Sequence, residues 1–140
     1  MHPHLSFVTL AVEDMVKARA FYQALGFEAT PSSSDDVTFF QLNGCVLALY
    51  GRQALAKDAG VSEDTVFKTV IAHNCPERAQ VDSVMAQAVA AGAVITQPAS
   101  EVYWGGYRGY FQDPEGHLWE VAHNPFVSWT EGGNVWMRTE

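Results

Sequence analysis

Glu120 is the side chain in this sequence best suited to acid–base chemistry. It lies within the apolar segment 118–122, where a carboxylate needs either a partner or a function. As a functional group it would be a general base, or an anchor for a hydroxyl or cationic group of a ligand. The structural alternative is a buried ion pair with Arg108 or Lys68.

His73 is the second candidate for acid–base chemistry. It shares strand parity with Phe67 and Thr69, so we expect it to reach the mouth of a binding cleft, where an imidazole acts as acid or base near neutral pH. The structural alternative is a histidine that caps loop backbone at the end of a strand. The tripeptide Ala-His-Asn favours that alternative, because it occurs at both 72–74 and 122–124.

Two further histidines are expected to be structural. His123 has the opposite strand parity to Glu120, and His117 directly follows a turn at 113–116. Neither position predicts contact with a ligand.

The segment 101–108 supplies aromatic side chains suited to a planar or apolar ligand. Tyr103, Trp104 and Tyr107 stand around two glycines, and a strand rather than a helix follows them. The segment is therefore expected to be a lid or a bulge beside a pocket, not a phosphate-binding loop. Arg52 would either hold an acidic ligand or be solvated.

Composition and charge exclude several classes of function. The chain has 140 residues, 48% of them hydrophobic, and a formal net charge of −8, which is the wrong sign for a nucleic-acid or anionic-membrane surface. No apolar run approaches the roughly 18 residues of a membrane helix, and the first residues do not resemble a secretory signal. A cytoplasmic protein is expected.

Cys45 and Cys75 are unclustered and predicted to be buried thiols.

Short patterns occur twice along the chain, in the same order. The pairs are Phe7-Val8-Thr9-Leu10 with Phe67-Lys68-Thr69-Val70, Ala24-Leu25-Gly26 with Ala90-Ala91-Gly92, and Phe39-Phe40-Gln41 with Tyr110-Phe111-Gln112, followed by Gly44 and Gly116. The spacing between the copies grows from 60 to 66 to 72 residues. A duplicated α+β unit is therefore predicted.

Each copy is predicted to fold in the order β-α-β-β-β. The first has strands at 5–12, 27–30, 37–42 and 45–50 and a helix that begins at Asp14 and ends at Gly26. A hairpin turn is predicted at Asn43-Gly44, because both residues tolerate positive φ. The second has strands at 67–73, 93–96, 107–112 and 117–122, a helix that ends at Gly92, and Pro98 as the stop of the short strand. The two modules, about 5–50 and 66–123, would form one domain over 1–124, with a linker at 51–65 and a tail at 125–140 that packs on the domain or on a partner subunit.

This arrangement resembles the vicinal oxygen chelate superfamily, which includes glyoxalase I, extradiol dioxygenases, methylmalonyl-CoA epimerase, and the bleomycin and fosfomycin resistance proteins. The resemblance covers residues 5 to 124. The matching motifs are Asp14 before the first helix, Phe21-Tyr22 and Leu25-Gly26-Phe27 at its end, and Asp113-Pro114-Glu115-Gly116-His117 before a last strand that contains Glu120. The resemblance implies two βαβββ modules that form a curved mixed sheet around a cleft.

The resemblance also indicates where a metal ion would be bound. Metal-using members take one ligand, usually His, Glu or Gln, from the first and last strand of each module. Those positions fall here at or near Phe7, Phe67, Ala48 and Glu120. A divalent ion needs three or more converging donors, so no family metal site and no cofactor are expected. Shifts of two residues would offer Thr9, Tyr50 and Thr69, which are poor ligands, or His73.

The expected function is that of a small-molecule protein of this superfamily. Phe7, Phe67 and Tyr50, with Thr9 and Thr69 nearby, would line a cleft for an aromatic or amphipathic molecule. The protein would sequester that molecule or react with it through Glu120 without a metal ion. The alternatives are a metal-dependent glyoxalase-like lyase, isomerase or dioxygenase with an atypical site that recruits His73, and a purely structural dimer module. A homodimer is expected in each case.

Overall fold

The chain divides into two compact units, Met1–Lys68 and Thr69–Glu140. The computed structural model describes Met1 and residues 5–137. Its elements are β1 (Phe7–Val12), α1 (Met15–Ala24), β2 (Val37–Gln41), β3 (Val46–Gly51), α2 (Arg52–Ala59), β4 (Val70–Asn74), α3 (Arg78–Ala91), β5 (Val94–Glu101), β6 (Tyr107–Gln112), β7 (Leu118–His123), β8 (Val127–Trp129) and β9 (Val135–Met137). Among the described residues, no helix is both long and apolar enough to cross a membrane.

The first unit is a three-stranded sheet with α1 packed on one face. The strand order is β1-β3-β2, with β1 parallel and β2 antiparallel to the central β3. Alternate residues of the strands meet the helix and form the core of this unit, because side chains of a strand point to opposite faces in turn. The largest fully buried side chains of the unit are Tyr22, Phe21, Phe40, Leu10, Leu47, Leu49, Val12 and Thr38. Burial of each large apolar side chain stabilises the fold by about 1.5–3 kcal/mol.

Helix α1 begins and ends where the sequence predicts. The Asp14 side chain accepts a hydrogen bond of 3.0 Å from the backbone N–H of Lys17, which satisfies one of the free donors of the first turn. Gly26, just past the last turn, has φ of +93° and donates its N–H to the Gln23 carbonyl at 2.9 Å. Both predictions are confirmed.

The hairpin between β2 and β3 is closed by one left-handed residue rather than two. Gly44 has φ of +85°, but no non-glycine residue in the described part of the chain has a positive φ. Asn43 tolerates a positive φ but does not adopt one here. A 2.9 Å bond from the Leu42 N–H to the Cys45 carbonyl closes the turn.

The strand predicted at 27–30 is reduced to a single bridge between Ala29 and Phe40. Phe27 belongs to the helix end instead, because its N–H bonds to the Tyr22 carbonyl at 3.0 Å and its ring stacks on Tyr22 with centroids 5.9 Å apart. Only the end of the segment is left to pair with the sheet.

The connection between the copies contains helix α2. This helix has eight residues, Ala56 is its buried residue, and Gly60 with φ of +68° caps its C-terminal end. The segment predicted as a linker therefore contains a regular helix.

The second unit is a four-stranded sheet with α3 packed on one face. The strand order is β4-β7-β6-β5, with β4 parallel to β7 and the other pairs antiparallel. A reciprocal capping box between Glu77 and Gln80 opens α3, and Gly92 with φ of +109° ends it as predicted. Val81, Met85 and Ala88 are the buried residues of this helix.

Strand β4 begins three residues later than the sequence predicts. Val70 pairs with Leu118, the first residue of β7. The residue before Leu118 is His117, whose backbone N–H and carbonyl are both bonded to Asp113, at 2.8 Å and 3.0 Å. Residues 67–69 therefore have no partner in β7 and lie outside the strand.

Strand β5 does not stop before Pro98. It continues to Glu101 as the edge of the sheet, and its pairing with β6 shifts between Ile95 and Gln97 and again between Gln97 and Ser100. Pro98 lies within the second irregularity, where its missing N–H breaks no regular ladder bond. The prediction that Pro98 ends this strand is therefore wrong.

The duplication is confirmed, with a different register in the first strand of each copy. Phe39 pairs with Ala48 and Tyr110 pairs with Glu120, so Ala48 and Glu120 are equivalent as predicted. In the parallel pairs, however, Thr9 lies opposite Ala48 and Ala72 lies opposite Glu120. Thr9 therefore corresponds to Ala72, and Phe7 to Val70 rather than to Phe67. The predicted fold class, α+β with two modules, is confirmed.

Most of the tail forms a two-stranded hairpin. Strands β8 and β9 pair antiparallel, with Ser128 opposite Trp136 and Trp129 opposite Val135. Val127 is buried, whereas Trp136 is 63% exposed. Residues 138–140 of the predicted tail lie outside the described residues.

We expect Gly109→Ala to destabilise the second unit. A Cβ at this position would lie 2.7 Å from the Met85 methyl carbon and 3.1 Å from backbone atoms of Gln97 and Ala99. Overpacking of this kind lowers the free energy of unfolding by about 1–3 kcal/mol, measured by urea denaturation. Gly51→Ala is the matched control, because its Cβ would meet nothing closer than 3.8 Å. Equal stability of the two variants would contradict this packing.

Candidate active site

The sheet of the second unit has one face that α3 covers and one that it does not. Gly109 contacts the α3 residue Met85 and pairs with Val121 on β7. These two residues, and every second residue from them along their strands, therefore lie on the face toward the helix. Residues of the other parity form what we call the helix-free face of the second unit: Val70, Ala72, Asn74, Arg108, Tyr110, Gln112, Leu118, Glu120 and Ala122.

Glu120 lies at the middle of the helix-free face. Its direct neighbours across the ladder are Ala72 on β4 and Tyr110 on β6. The residue is half-buried, and within the described part of the chain its carboxylate has no ion pair, neither with Arg108 nor with Lys68. The structural alternative foreseen for Glu120 is therefore not formed by these residues.

Arg108 and Tyr110 share the helix-free face with Glu120, and neither was among the predicted ligand contacts. The Arg108 guanidinium lies 4.9 Å from the centroid of the Tyr110 ring, a cation–π geometry. Both residues are half-buried. The sequence does contain a pattern that indicates this grouping. Arg108, Tyr110 and Gln112 alternate along β6, so these three polar side chains lie on one face of the sheet.

His73 does not join Glu120. It pairs with Val121, which is fully buried, and so lies on the face that α3 covers. The two candidates for acid–base chemistry therefore point to opposite faces of the same sheet. Alternation along the strand correctly predicts which residues of β4 share a face. Only the pairing of β4 with β7 shows which of the two faces lies toward α3.

The environment of His73 perturbs its titration. Part of the residue is exposed, but the surrounding protein desolvates the imidazole enough to lower its pKa below the ordinary value of 6.5. Burial disfavours the charged form of a histidine. At neutral pH the ring is neutral.

The other two histidines occupy structural positions. His123 Nδ1 lies 3.2 Å from the Cys75 carbonyl oxygen at the end of β4. His117 is buried beside Asp113, whose side chain accepts backbone hydrogen bonds from His117 and Glu115 at 2.8 Å and 2.9 Å. The Asp113 carboxylate thus fixes the turn before β7, and the turn positions the strand that carries Glu120.

The first unit has a helix-free face of its own, and it is aromatic. Phe7, Thr9 and Tyr50 lie on it together with Phe39. The Phe7 and Phe39 rings meet edge to face with centroids 6.2 Å apart, yet Phe7 remains 55% exposed. Three of the predicted ligand-binding residues are therefore gathered on one surface suited to apolar groups.

Two other predicted ligand residues lie outside both sheets. Phe67 and Thr69 belong to the unpaired segment before β4, where Phe67 is half-buried and Thr69 exposed. The strand in which they were predicted begins only at Val70.

The loop between β5 and β6 is a compact turn. The Val102 N–H donates to the Gly106 carbonyl at 3.0 Å, and the Gly105 N–H donates to the Val102 carbonyl at 2.9 Å. The Trp104 ring lies on the backbone of Gly106, where a Cβ would come within 1.9 Å of it. Tyr103 projects fully into solvent.

Tyr107 faces α3 rather than the helix-free face. Its hydroxyl donates to Asp82 Oδ1 at 2.8 Å, and this hydrogen bond to the carboxylate is the main cause of its raised pKa. Arg78 lies 5.9 Å from the centroid of its ring and forms an ion pair with Glu101. These contacts tie α3 to β5 and β6.

Arg52 is engaged within its own unit. Its Nε lies 2.5 Å from the Glu13 carboxylate, and its Nη1 donates to the Thr65 carbonyl at 3.3 Å. It lines an open cavity of about 330 Å³ together with Glu13 and Asp36. Two carboxylates at this cavity oppose the binding of the acidic ligand that the sequence suggests.

The donor atoms at the family's metal positions do not fit a divalent ion. In the first unit these positions hold the phenyl ring of Phe7 and the methyl group of Ala48. In the second, the ladder neighbours of Glu120 are Ala72 and Tyr110. Among the described residues, no three His, Cys, Asp or Glu side chains come together in a metal-binding group. One carboxylate falls short of the three or more donors that divalent ions take from proteins.

Comparison with known proteins agrees with this fold. The family model described as the glyoxalase/bleomycin resistance protein/dioxygenase superfamily matches residues 4–121. The chain belongs to that superfamily.

Individual relatives show how similar this chain is to known proteins in sequence and in fold. A metallothiol transferase FosB from Shouchella clausii (strain KSM-K16) is 31% identical over 118 residues, which cover 84% of this chain and 77% of that protein. A crystal structure of a glyoxalase-related enzyme from Fulvimarina pelagi has a TM-score of 0.89 and 32% identity, covering 98% of this chain and 99% of that one. A superfamily enzyme from Burkholderia phytofirmans PsJN has a TM-score of 0.75 and 26% identity, covering 86% and 98%.

We expect His73 to make stability fall with acid. Because its pKa is lowered in the folded protein, the unfolded chain binds the proton more readily once the pH drops below about 6.5. The free energy of unfolding should therefore decrease less between pH 7 and pH 5 in His73→Gln than in the wild type. Urea denaturation at several pH values measures this difference, and His123→Gln serves as the comparison. Identical pH profiles for His73→Gln and the wild type would show that the ring is not desolvated.

Proposed function

We propose that this protein binds a small aromatic or amphipathic molecule on the helix-free face of the second unit, with Glu120 as the polar anchor. Where the bound molecule reacts, Glu120 acts as its acid or base without a metal ion. The observation that supports this most directly is a half-buried carboxylate without an ion-pair partner in the described residues.

The surroundings of Glu120 support a binding role over a structural one. Glu120 is half-buried, so part of it remains open to solvent, where a ligand can reach it. The neighbouring Ala72 supplies no hydrogen-bond donor, and no cation of the described residues forms an ion pair with Glu120. A ligand hydroxyl or amine could donate a hydrogen bond to this carboxylate and would be held with the geometry that proton transfer needs.

The aromatic character of the binding surface supports the ligand class. Tyr110 lies directly beside Glu120 on β6, and a ring next to a polar anchor is typical of sites for planar or amphipathic molecules. In the first unit, Phe7 and Phe39 present a second aromatic surface.

Substitution of Glu120 tests the proposal. In a thermal-shift screen with a library of aromatic and amphipathic fragments, some fragments should raise the Tm of the wild type but not of Glu120→Gln. Loss of a charge-assisted hydrogen bond should weaken their binding about 10- to 100-fold. Circular dichroism should show an unchanged fold, because glutamine has nearly the same shape.

Glu28→Gln is the matched control, since Glu28 is an exposed carboxylate of the first unit and should leave every fragment response intact. Fragments that stabilise wild type and Glu120→Gln equally would exclude Glu120 as the anchor.

A second candidate is a metal-dependent transfer reaction, which the 31% identity to a metallothiol transferase favours. Glu120 would then be one ligand of an atypical site completed by water molecules. The donor set around Glu120 argues against this candidate, because neither ladder neighbour is a typical ligand for a divalent ion.

Elemental analysis separates the two candidates. Protein purified without chelator should contain well under one equivalent of Mn, Fe, Ni or Zn. Ala72→His is the positive control, because it puts an imidazole directly opposite Glu120 and should strengthen Zn²⁺ binding in calorimetry. One equivalent of metal in the wild type, lost together with activity in Glu120→Gln, would establish the metal-dependent candidate instead.

A further inference from the structure

We infer that Arg108 binds a carboxylate group of the ligand, so that the molecule held by the second unit is a small organic acid. This inference rests on the proposed function, because it places the acid group beside the Glu120 site, and it adds the charge of the ligand and the residue that selects it.

Arg108 differs from the other arginines that the structure describes. Arg19 donates to the Thr38 hydroxyl at 2.8 Å and to the Ser34 carbonyl at 2.6 Å. Arg52 is paired with Glu13, and Arg78 with Glu101. Those three guanidinium groups are thus committed to oxygen acceptors of the protein. For Arg108, no acceptor is present among residues 5–137.

The stacking of Arg108 leaves its hydrogen-bond donors available. The guanidinium lies over the Tyr110 ring at 4.9 Å from the centroid, a cation–π contact that restrains the group. This contact uses none of its five N–H donors, whose planar arrangement matches the two oxygens of a carboxylate. A guanidinium held in this way loses little conformational entropy when it binds an anion.

Arg78 provides an internal comparison. It too lies over a tyrosine ring, at 5.9 Å from the centroid of Tyr107, but on the opposite face of the sheet and in an ion pair with Glu101. Two arginine–tyrosine pairs therefore occur in one unit, and among the described residues only the arginine on the Glu120 face forms no ion pair. In a chain with a net charge of −8, a cation outside any ion pair is a local site that attracts anions.

The register relates the acid site to Glu120. Arg108 pairs with Ala122, two positions along β7 from Glu120, and diagonal neighbours of this kind are about 7–8 Å apart. The two charged groups are close enough for one small molecule to reach both. Because Glu120 accepts hydrogen bonds, the ligand class is an organic acid that also carries a hydroxyl or ammonium group.

Three hydroxy acids and their neutral amides test this inference: 4-hydroxyphenylacetate, salicylate and 3-hydroxyoctanoate, each beside the corresponding carboxamide. Titrations followed by backbone NMR should shift resonances of β6 and β7. For at least one pair, the acid should bind about tenfold or more tightly than its amide, as expected for charge-assisted hydrogen bonds. Arg108→Gln should bring that ratio close to one.

Arg78→Gln is the matched control and should leave the ratio of acid to amide affinity unchanged. Arg108→Lys should retain part of the preference, because lysine keeps the charge but not the planar donor geometry. Loss of the preference in both Arg108→Gln and Arg78→Gln would point to global charge and overturn the inference.

The remaining outcomes separate this inference from the proposed function. Equal binding of acid and amide, with shifts at β7 that vanish in Glu120→Gln, overturns the role of Arg108 and leaves Glu120 as the anchor. Acid preference lost in Arg108→Gln but unchanged in Glu120→Gln supports Arg108 and rejects Glu120. No shift at β6 or β7 with any of the six compounds at millimolar concentration also overturns the inference.

Discussion

The parallel pairing of β4 with β7 is the constraint on which the rest of the second unit depends. It sets Ala72 opposite Glu120 and His73 opposite Val121, and side chains alternate between the faces of a sheet. A shift of one residue would exchange every side chain of β4 between the covered and uncovered faces. The turn fixed by Asp113 sets where β7 begins, and so this buried carboxylate indirectly positions Glu120.

The same register explains why the two copies differ in chemistry while sharing a fold. Ala48 and Glu120 occupy equivalent positions of their sheets, as do Thr9 and Ala72. Ala48 is almost fully buried, so the first unit presents an aromatic surface around it. Glu120 is half-buried beside Tyr110 and Arg108, and the second unit therefore presents charge at the corresponding place.

Features encoded by local chemistry could be predicted from the sequence. Asp14 and Gly26 bound α1, Gly92 ends α3, and the repeated patterns predict two α+β modules. The placement of His73 could not be predicted, because it depends on pairing with residues nearly fifty positions away. Tyr107 and Arg52 were assigned to ligand on residue type alone, but each is held by a carboxylate on another element. Arg108 was considered only as an ion-pair partner, since no local pattern shows that a charge lacks one.

A crystal structure with a bound hydroxy acid tests the central claim most directly. The account predicts density on the helix-free face of the second unit, with the hydroxyl within hydrogen-bond distance of Glu120 and the carboxylate in the plane of the Arg108 guanidinium. Density on the face covered by α3, beside His73 and Tyr107, would contradict it.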